Sequence, residues 1–443
     1  MTTGAKFLRV IGVLVILGAV ALLGVIFVPV QRTPAQVQVA ADAVVVAGSG
    51  EYAMRLGDCM ACHTAKGGVP FAGGYPIDSP LGTIYSSNIT PDPDHGIGNW
   101  TLDDFRASLY DGIDEEGRHL YPAMPSDNYR KLSEADIVSL FRYLMDEVAP
   151  VASDPPETDL SFPFDQRWGL RLWKWVAYEK AGFAPRYDDL ILDRGAYLVE
   201  GPGHCGACHS PRSALFVQSG YSPDDGDFLS GGVINGWAAP ALRGPGSAPA
   251  IWDEAQLVAF LQSGRNNHAG VAGEMASVVE DSLQYMTDAD VTAVARYLRH
   301  VATDANALAT PGLRSGEATQ SGTAAMLLAA SPDMDLGARL YLDNCNACHF
   351  STGFGADGVF PELVGNASVL ADEPGGFLQV ILAGAAMPST ATRPARLRMP
   401  SFGERLSDDE VAALATFVRQ AWGNDASLVV AETVREVRAN LPE

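Results

Sequence analysis

Six cysteines stand in the 443-residue chain, at positions 59, 62, 205, 208, 345 and 348. They form three C-x-x-C pairs, and a histidine follows each pair directly: His63, His209 and His349. This pattern is the attachment signature of c-type haem. Two thiols at that spacing add across the two vinyl groups on one porphyrin edge. The adjacent imidazole then falls beneath the iron as an axial ligand. Zinc usually needs two separated ligand pairs around one ion, whereas each pair here carries its own histidine. A thioredoxin-like redox pair needs a βαβ setting, and none surrounds these motifs. The expectation is three covalent haems c, held by Cys59 and Cys62, by Cys205 and Cys208, and by Cys345 and Cys348. No cysteine is left for a structural disulfide.

The sixth ligand of each iron must come from elsewhere in the chain. A thioether is soft, and Met/His ligation raises the reduction potential and suits electron transfer. Three methionines share a register. Met124 lies 12 residues after Gly112 and 9 before Ser133; Met275 lies 11 after Gly264 and 12 before Thr287; Met399 lies 15 after Gly384 and 8 before Ser407. The rivals fit this register less well. Met387 is only 3 after its glycine, Met286 abuts a helix start, Met60 sits inside a motif and Met145 inside a helical pattern. Pro240 and Pro361 mark places where the preceding chain turn would offer a carbonyl to a proximal imidazole N–H, which would fix its orientation. Arg212 is either a propionate partner or an exposed cation. His95, His119, His268 and His300 read as solvated loop or helix-surface residues.

The elements that position these groups repeat three times. The motifs are separated by 146 and then 140 residues, a spacing that calls for an internal-repeat test. Before each motif lies a short helical pattern (50–58, 194–201, 336–344). After it come a Gly/Pro-rich loop and a second helical pattern ending at glycine (100–112, 252–264, 375–384). A strongly periodic helix closes each repeat (132–148, 286–302, 406–422). That helix opens on Ser133, Thr287 or Ser407, with Asp136, Asp290 or Glu410 three positions on, which is a capping-box pattern. Tyr143, Tyr297 and Phe417 recur at one offset within it, to pack on the first helix of the same repeat or on a cofactor face. No segment shows sustained strand alternation. The predicted fold is all-α: three tandem cytochrome c-like haem domains after an N-terminal transmembrane helix.

The predicted boundaries are 1–35 for a membrane anchor, 45–150 for domain 1, 151–185 for a linker with a helix, 186–303 for domain 2, 304–332 for a flexible linker, 333–424 for domain 3 and 425–443 for a C-terminal tail. Residues 10–30 carry no charge, and at about 1.5 Å per residue they span about 30 Å, a bilayer core. Lys6 and Arg9 precede them, which places the start in the cytoplasm. A cleaved signal would have a shorter apolar core, and the nearest small-x-small site, Ala41–Ala43, lies well past the run. An uncleaved anchor is the preferred reading, with the body on the periplasmic side of a bacterial inner membrane. Trp168, Trp173 and Trp175 in the 166–181 helix read as core packing between domains. With 30 Lys and Arg against 53 Asp and Glu, the net charge is −23, which argues against nucleic-acid binding.

Several segments are specific enough to carry a resemblance: GDCMACHTAKGGVPFAGG (57–74), GTIYSSNITPDPDHGIGNW (82–100), GRHLYPAMP (117–125), RGAYLVEGPGHCGACHSPR (194–212), LSGGVINGW (229–237) and MPSFGERLSDDEVAALATFVRQAWGN (399–424). The chain resembles the triheme cytochrome c subunit of bacterial membrane-bound alcohol and aldehyde dehydrogenases, whose relatives serve gluconate and fructose dehydrogenases. The resemblance implies a relay: a catalytic subunit oxidises the substrate, and electrons pass through three haems to ubiquinone in the membrane. The family's methionine ligands fall on Met124, Met275 and Met399. An N-terminal helix with a charged tail departs from many members and leans toward the aldehyde-oxidising, molybdenum-cofactor type of partner. The alternatives are a multihaem peroxidase-like enzyme, which needs an open iron position that three matched methionines would close, and a cytochrome subunit of a terminal oxidase, which usually carries fewer haems. The chain is expected not to act on the organic substrate alone.

Overall fold

The uncharged run near the N-terminus forms a helix, α1 (Thr3–Phe27), in the computed structural model, which describes residues 3–36, 48–303 and 317–441. Among the described residues it is the one helix long and apolar enough to cross a bilayer, over Val10–Phe27. The Ala41–Ala43 site and residues 304–316 lie outside the described residues. Two compact units make up the chain. One takes 1–53, 62–184 and 214–217; the other takes 54–61, 185–213 and 218–443.

The first unit is built on the first five residues of α2 (Ser49–Leu56) and on α3 (Leu102–Asp111), α4 (Glu134–Asp146) and α5 (Leu170–Ala177). Local chemistry sets the helix ends. Thr101 and Asp104 form a reciprocal capping box at the start of α3, and Gly112 ends it in the left-handed region, where a side chain would be strained. Ser133 accepts from Asp136 N at the start of α4. The chain after α1 straps onto this unit: Thr33 donates from N and Oγ1 to Asp111 at 2.7 and 2.6 Å, Arg32 pairs with Asp104 at 2.7 Å, and Gln36 N donates to the buried Glu134.

The second unit holds two of the repeats. Its helices are α6 (Leu190–Glu200), α7 (Glu254–Ser263), α8 (Glu274–Asp281), α9 (Asp288–Ala302), α10 (Glu317–Leu328), α11 (Leu336–Asn344), α12 (Gly375–Ala383), α13 (Asp408–Gln420) and α14 (Ala431–Ala439). Ser407 and Glu410 complete the reciprocal box on α13. Thr287 caps α9, while Asp290 also takes a bidentate pair from Arg194 of α6 at 2.8 and 2.7 Å.

The first and last helices of each repeat cross at a glycine. A β-carbon on Gly50 would fall 2.6 Å from Tyr143 Cβ, one on Gly195 2.6 Å from Tyr297 Cβ, and one on Gly337 2.7 Å from Phe417 Cβ. The recurrent aromatic is thus the packing partner of the first helix in all three repeats, and only a hydrogen fits beneath it.

Three expectations need correction. The fold is mostly rather than wholly helical. A small antiparallel sheet joins β1 (Pro76–Ser79), β2 (Gly82–Tyr85) and β3 (Asp159–Leu160), and two short hairpins pair β4 (Gly232–Ile234) with β5 (Trp237–Ala239) and β6 (Ala385–Ala386) with β7 (Arg398–Met399). These strands are too short for the period-2 pattern to register. The linker read as flexible at 304–332 contains α10, whose Ala-, Leu- and Met-rich sequence favours helix; Leu327 is buried in the third-repeat core, and Thr323 Oγ1 accepts from Trp422 N. The charged C-terminal tail folds as α14, with Val434 in that same core and Arg438 paired to Asp408 at 2.8 Å.

Candidate haem-attachment sites

A single helical turn runs through each motif: Cys59–Cys62 with His63 next after it, and Gly206–His209 and Asn346–His349 with Cys205 and Cys345 at their N-caps. A short turn holds the two thiols and the imidazole in one local frame without help from distant residues. The histidines are half-buried, and each ring is held by a backbone carbonyl. His63 Nδ1 donates to Ser87 O at 2.7 Å, His209 Nδ1 to Pro240 O at 2.7 Å and His349 Nδ1 to Pro361 O at 2.9 Å. A carbonyl can only accept, so the ring proton sits on Nδ1 and the lone pair on Nε2 is left for a metal. Burial pushes all three imidazoles below their ordinary value, which keeps them neutral as a ligand must be. In the second and third repeats the carbonyl is that of Pro240 or Pro361 itself rather than of the preceding turn. The equivalent carbonyl of the first repeat comes from Ser87, which no proline marked.

Glycines let the carbonyl loops approach this closely. Gly73 (φ 74°) has no room for a β-carbon, which would fall 2.5 Å from Ser87 C; Gly355 (φ 61°) is pressed against Phe360 O and Pro361 O in the same way. The thiol pair, the oriented imidazole and the close-packed loop together fit a covalent haem c at every motif.

The methionines occupy different local structures. Met124 sits in a turn, its N donating to Tyr121 O. Met275 is the second residue of α8, half-buried, rather than in an open loop. Met399 ends β7 and lines a cavity of about 480 Å³ with Ala385, Ala386, Arg398 and Ser401. Its rival Met387 is used otherwise: its Cε lies 2.4 Å from where a β-carbon on Gly270 would be, in the contact between the second and third repeats. That contact also carries Glu362 N to His268 O at 2.9 Å and the Arg396–Glu280 ion pair. Arg212 is exposed and donates to Ala207 O.

Comparison with known proteins places these features. Residues 332–418, the third repeat, match the family described as cytochrome c oxidase, cbb3-type, subunit III. Over 88% of its length the chain is 41% identical to the cytochrome c subunit of alcohol dehydrogenase (quinone) from Gluconobacter oxydans (strain 621H), covering 81% of that protein. It is 41% identical to the gluconate 2-dehydrogenase cytochrome c subunit of Pantoea cypripedii, covering 88% of it, and 39% identical to the fructose dehydrogenase cytochrome subunit of Gluconobacter japonicus, covering 82%. The chain belongs to this family of dehydrogenase cytochrome c subunits. Like them it is an electron-transfer subunit, not the catalytic one, and it carries three covalently attached c-type haems. A dehydrogenase cytochrome c subunit works with a catalytic dehydrogenase chain.

Two histidine and tryptophan readings are overturned. His119 is buried, with Lys174 Nζ at 2.9 Å from its Nδ1. On α5 it is Lys174 that is buried, at 8% exposure, while Trp175 is 68% exposed. An apolar residue in a helical pattern reads as core by default; here the buried carbonyls at the end of α3 and the ring of His119 demand a multiple donor instead.

Proposed function

We propose that this subunit relays electrons from a periplasmic catalytic dehydrogenase chain to membrane ubiquinone. The three haems supply one-electron redox chemistry when bound. Nε2 of His63, His209 and His349 would hold the haem irons on one side, and the thioethers of Met124, Met275 and Met399 would supply the remaining ligands. The observation that carries the ligand assignment is the Nδ1–carbonyl bond repeated at all three histidines. The packing of Met387 against Gly270 supports Met399 in the third repeat. The haem domains are 45–150, 186–303 and 333–424, the last extended by α10 and α14.

The N-terminal helix is retained as an anchor. The bonds from Thr33 and Gln36 to Asp111 and Glu134 support this, because cleavage near Ala41–Ala43 would remove these donors and leave the buried carboxylates only their partners Arg130 and Arg106. Apolar residues 10–30 then hold the subunit in the bacterial inner membrane, with the body in the periplasm.

The test is reconstitution. Substrate should reduce the haems only when the catalytic chain is present, and a ubiquinone analogue should reoxidise them. Turnover of alcohol, aldehyde or peroxide by the isolated subunit would overturn the reading.

A further inference from the structure

The helix α5 has its polarity inverted. On a helix at 100° per residue, Leu170, Lys174 and Ala177 share one face, and the last two are buried against the first unit. Leu172, Trp175 and Val176 share the opposite arc and are exposed, at 43, 68 and 67%. The loop at 214–217 extends this surface: Trp173 Nε1 donates to Leu215 O at 2.8 Å, and Leu215 is 61% exposed. An apolar face of this kind on a folded chain marks an interaction site.

Its neighbour says what covers it. Arg171, on the edge of the exposed arc, donates to Val25 O at 2.9 Å and Gly24 O at 3.4 Å. These are carbonyls of the last turn of α1, where carbonyls run short of intrahelical partners; Gly24 O also accepts from Val28 N at 3.1 Å. Gly24 lies six residues before Val30, where the apolar run ends. Only the three residues from Gly24 to the helix end at Phe27 are helical, about 5 Å at about 1.5 Å per residue, so a segment that reaches Gly24 sits at the depth of the headgroup boundary. Tryptophan is the side chain that favours this boundary, and arginine beside it can reach the phosphates.

We infer that α5 and the loop at 214–217 lie in the outer-leaflet interface of the bilayer, with Leu172, Trp175 and Val176 in contact with lipid. This rests on the anchor reading of α1. The same segment grips the loop carrying Met124. Arg167 donates to His119 O at 2.8 Å, Lys174 meets the His119 ring, and the Tyr178 hydroxyl is 2.6 Å from Ser126 Oγ. Lipid contact through α5 therefore holds the first haem domain close to the membrane plane.

The test uses the native complex in phosphatidylcholine vesicles doped with a phospholipid that bears a diazirine on its acyl chain. After illumination, adducts are mapped by mass spectrometry. Adducts are expected on residues 10–30 and on peptides 172–174 and 175–180. Trp175→Asp should lower the yield on 175–180 by about fivefold, as expected for a charge placed in the interface, with unchanged haem spectra and unchanged labelling of 10–30. Labelling of 10–30 without labelling of 172–180 overturns the inference and leaves the anchor intact. Absence of adducts on 10–30 together with release of the subunit by carbonate shows that the anchor reading itself has failed, and the inference with it.

Discussion

The ammonium of Lys174 lies 2.9 Å from Nδ1 of His119, five residues before Met124. It also donates to Asp111 O and Gly112 O, at 2.7 and 2.5 Å. One buried cation thus ties the end of α3 to the loop that leads to the proposed distal ligand of the first haem.

Lys174→Met should leave the Asp111 carbonyl and a ring nitrogen unpaired, while Gly112 O keeps its bond from Leu120 N, at a cost of about 1–3 kcal/mol for each unpaired group that water cannot reach. Thermal unfolding should show the loss, and the near-infrared thioether-to-iron band should weaken for one haem in three. A haem spectrum unchanged in that band would separate Lys174 from the ligand loop.

The same site predicts a pH dependence. Burial lowers Lys174 from 10.5 to about 7, and Lys174 in turn helps lower His119 to about 4. Between pH 7 and 10.5 the unfolded chain therefore holds a proton that the folded chain has released, and stability from this site rises with pH across that window. Below pH 7 the contribution is level. The difference in Tm between wild type and Lys174→Met should widen from pH 7 to pH 9; a gap that stays level would show that the ammonium stays charged in the fold.

Gly337→Ala should be costly, since its β-carbon would meet Ala413 O at 2.3 Å and Phe417 Cβ at 2.7 Å. Overpacking of this kind costs about 1–3 kcal/mol or more. Gly195→Ala should behave alike. Gly322→Ala on α10, where nothing lies within 4 Å, should be neutral or stabilising by up to about 1 kcal/mol. Chemical denaturation of the three variants distinguishes a crossing-point effect from simple loss of glycine.

Met399→Ala is expected to open one haem to carbon monoxide and to lower one reduction potential. Met387→Ala should instead loosen the contact with Gly270 and leave every potential in place. Redox titration of both variants decides, and the reverse pattern would exchange the two methionines.

Val434→Asp places a charge in the third-repeat core, where Val434 is fully buried. A loss of about 3 kcal/mol or more is expected. Limited proteolysis should then cut first in 425–443 and around α10, because both pack on that core.

What the sequence alone determined is the chemistry that contiguous residues perform. A C-x-x-C-H run carries both thioether positions and the imidazole on one turn, so the haem sites needed no knowledge of the fold. Helix ends at Thr287 and Ser407 were equally legible, because a cap is a bond between residues three apart. The tertiary structure decided whatever depends on residues far apart in the chain. Ser87 serves His63 because a glycine at 73 lets its loop come close, and nothing in the motif says so. Gly50, Gly195 and Gly337 look like helix-weakening residues until Tyr143, Tyr297 and Phe417 are found lying on them. Lys174 goes inside and Trp175 outside because the buried carbonyls of Asp111 and Gly112 and the ring of His119 need a donor there. Periodicity records which face a residue shares, but burial is set by what that face meets.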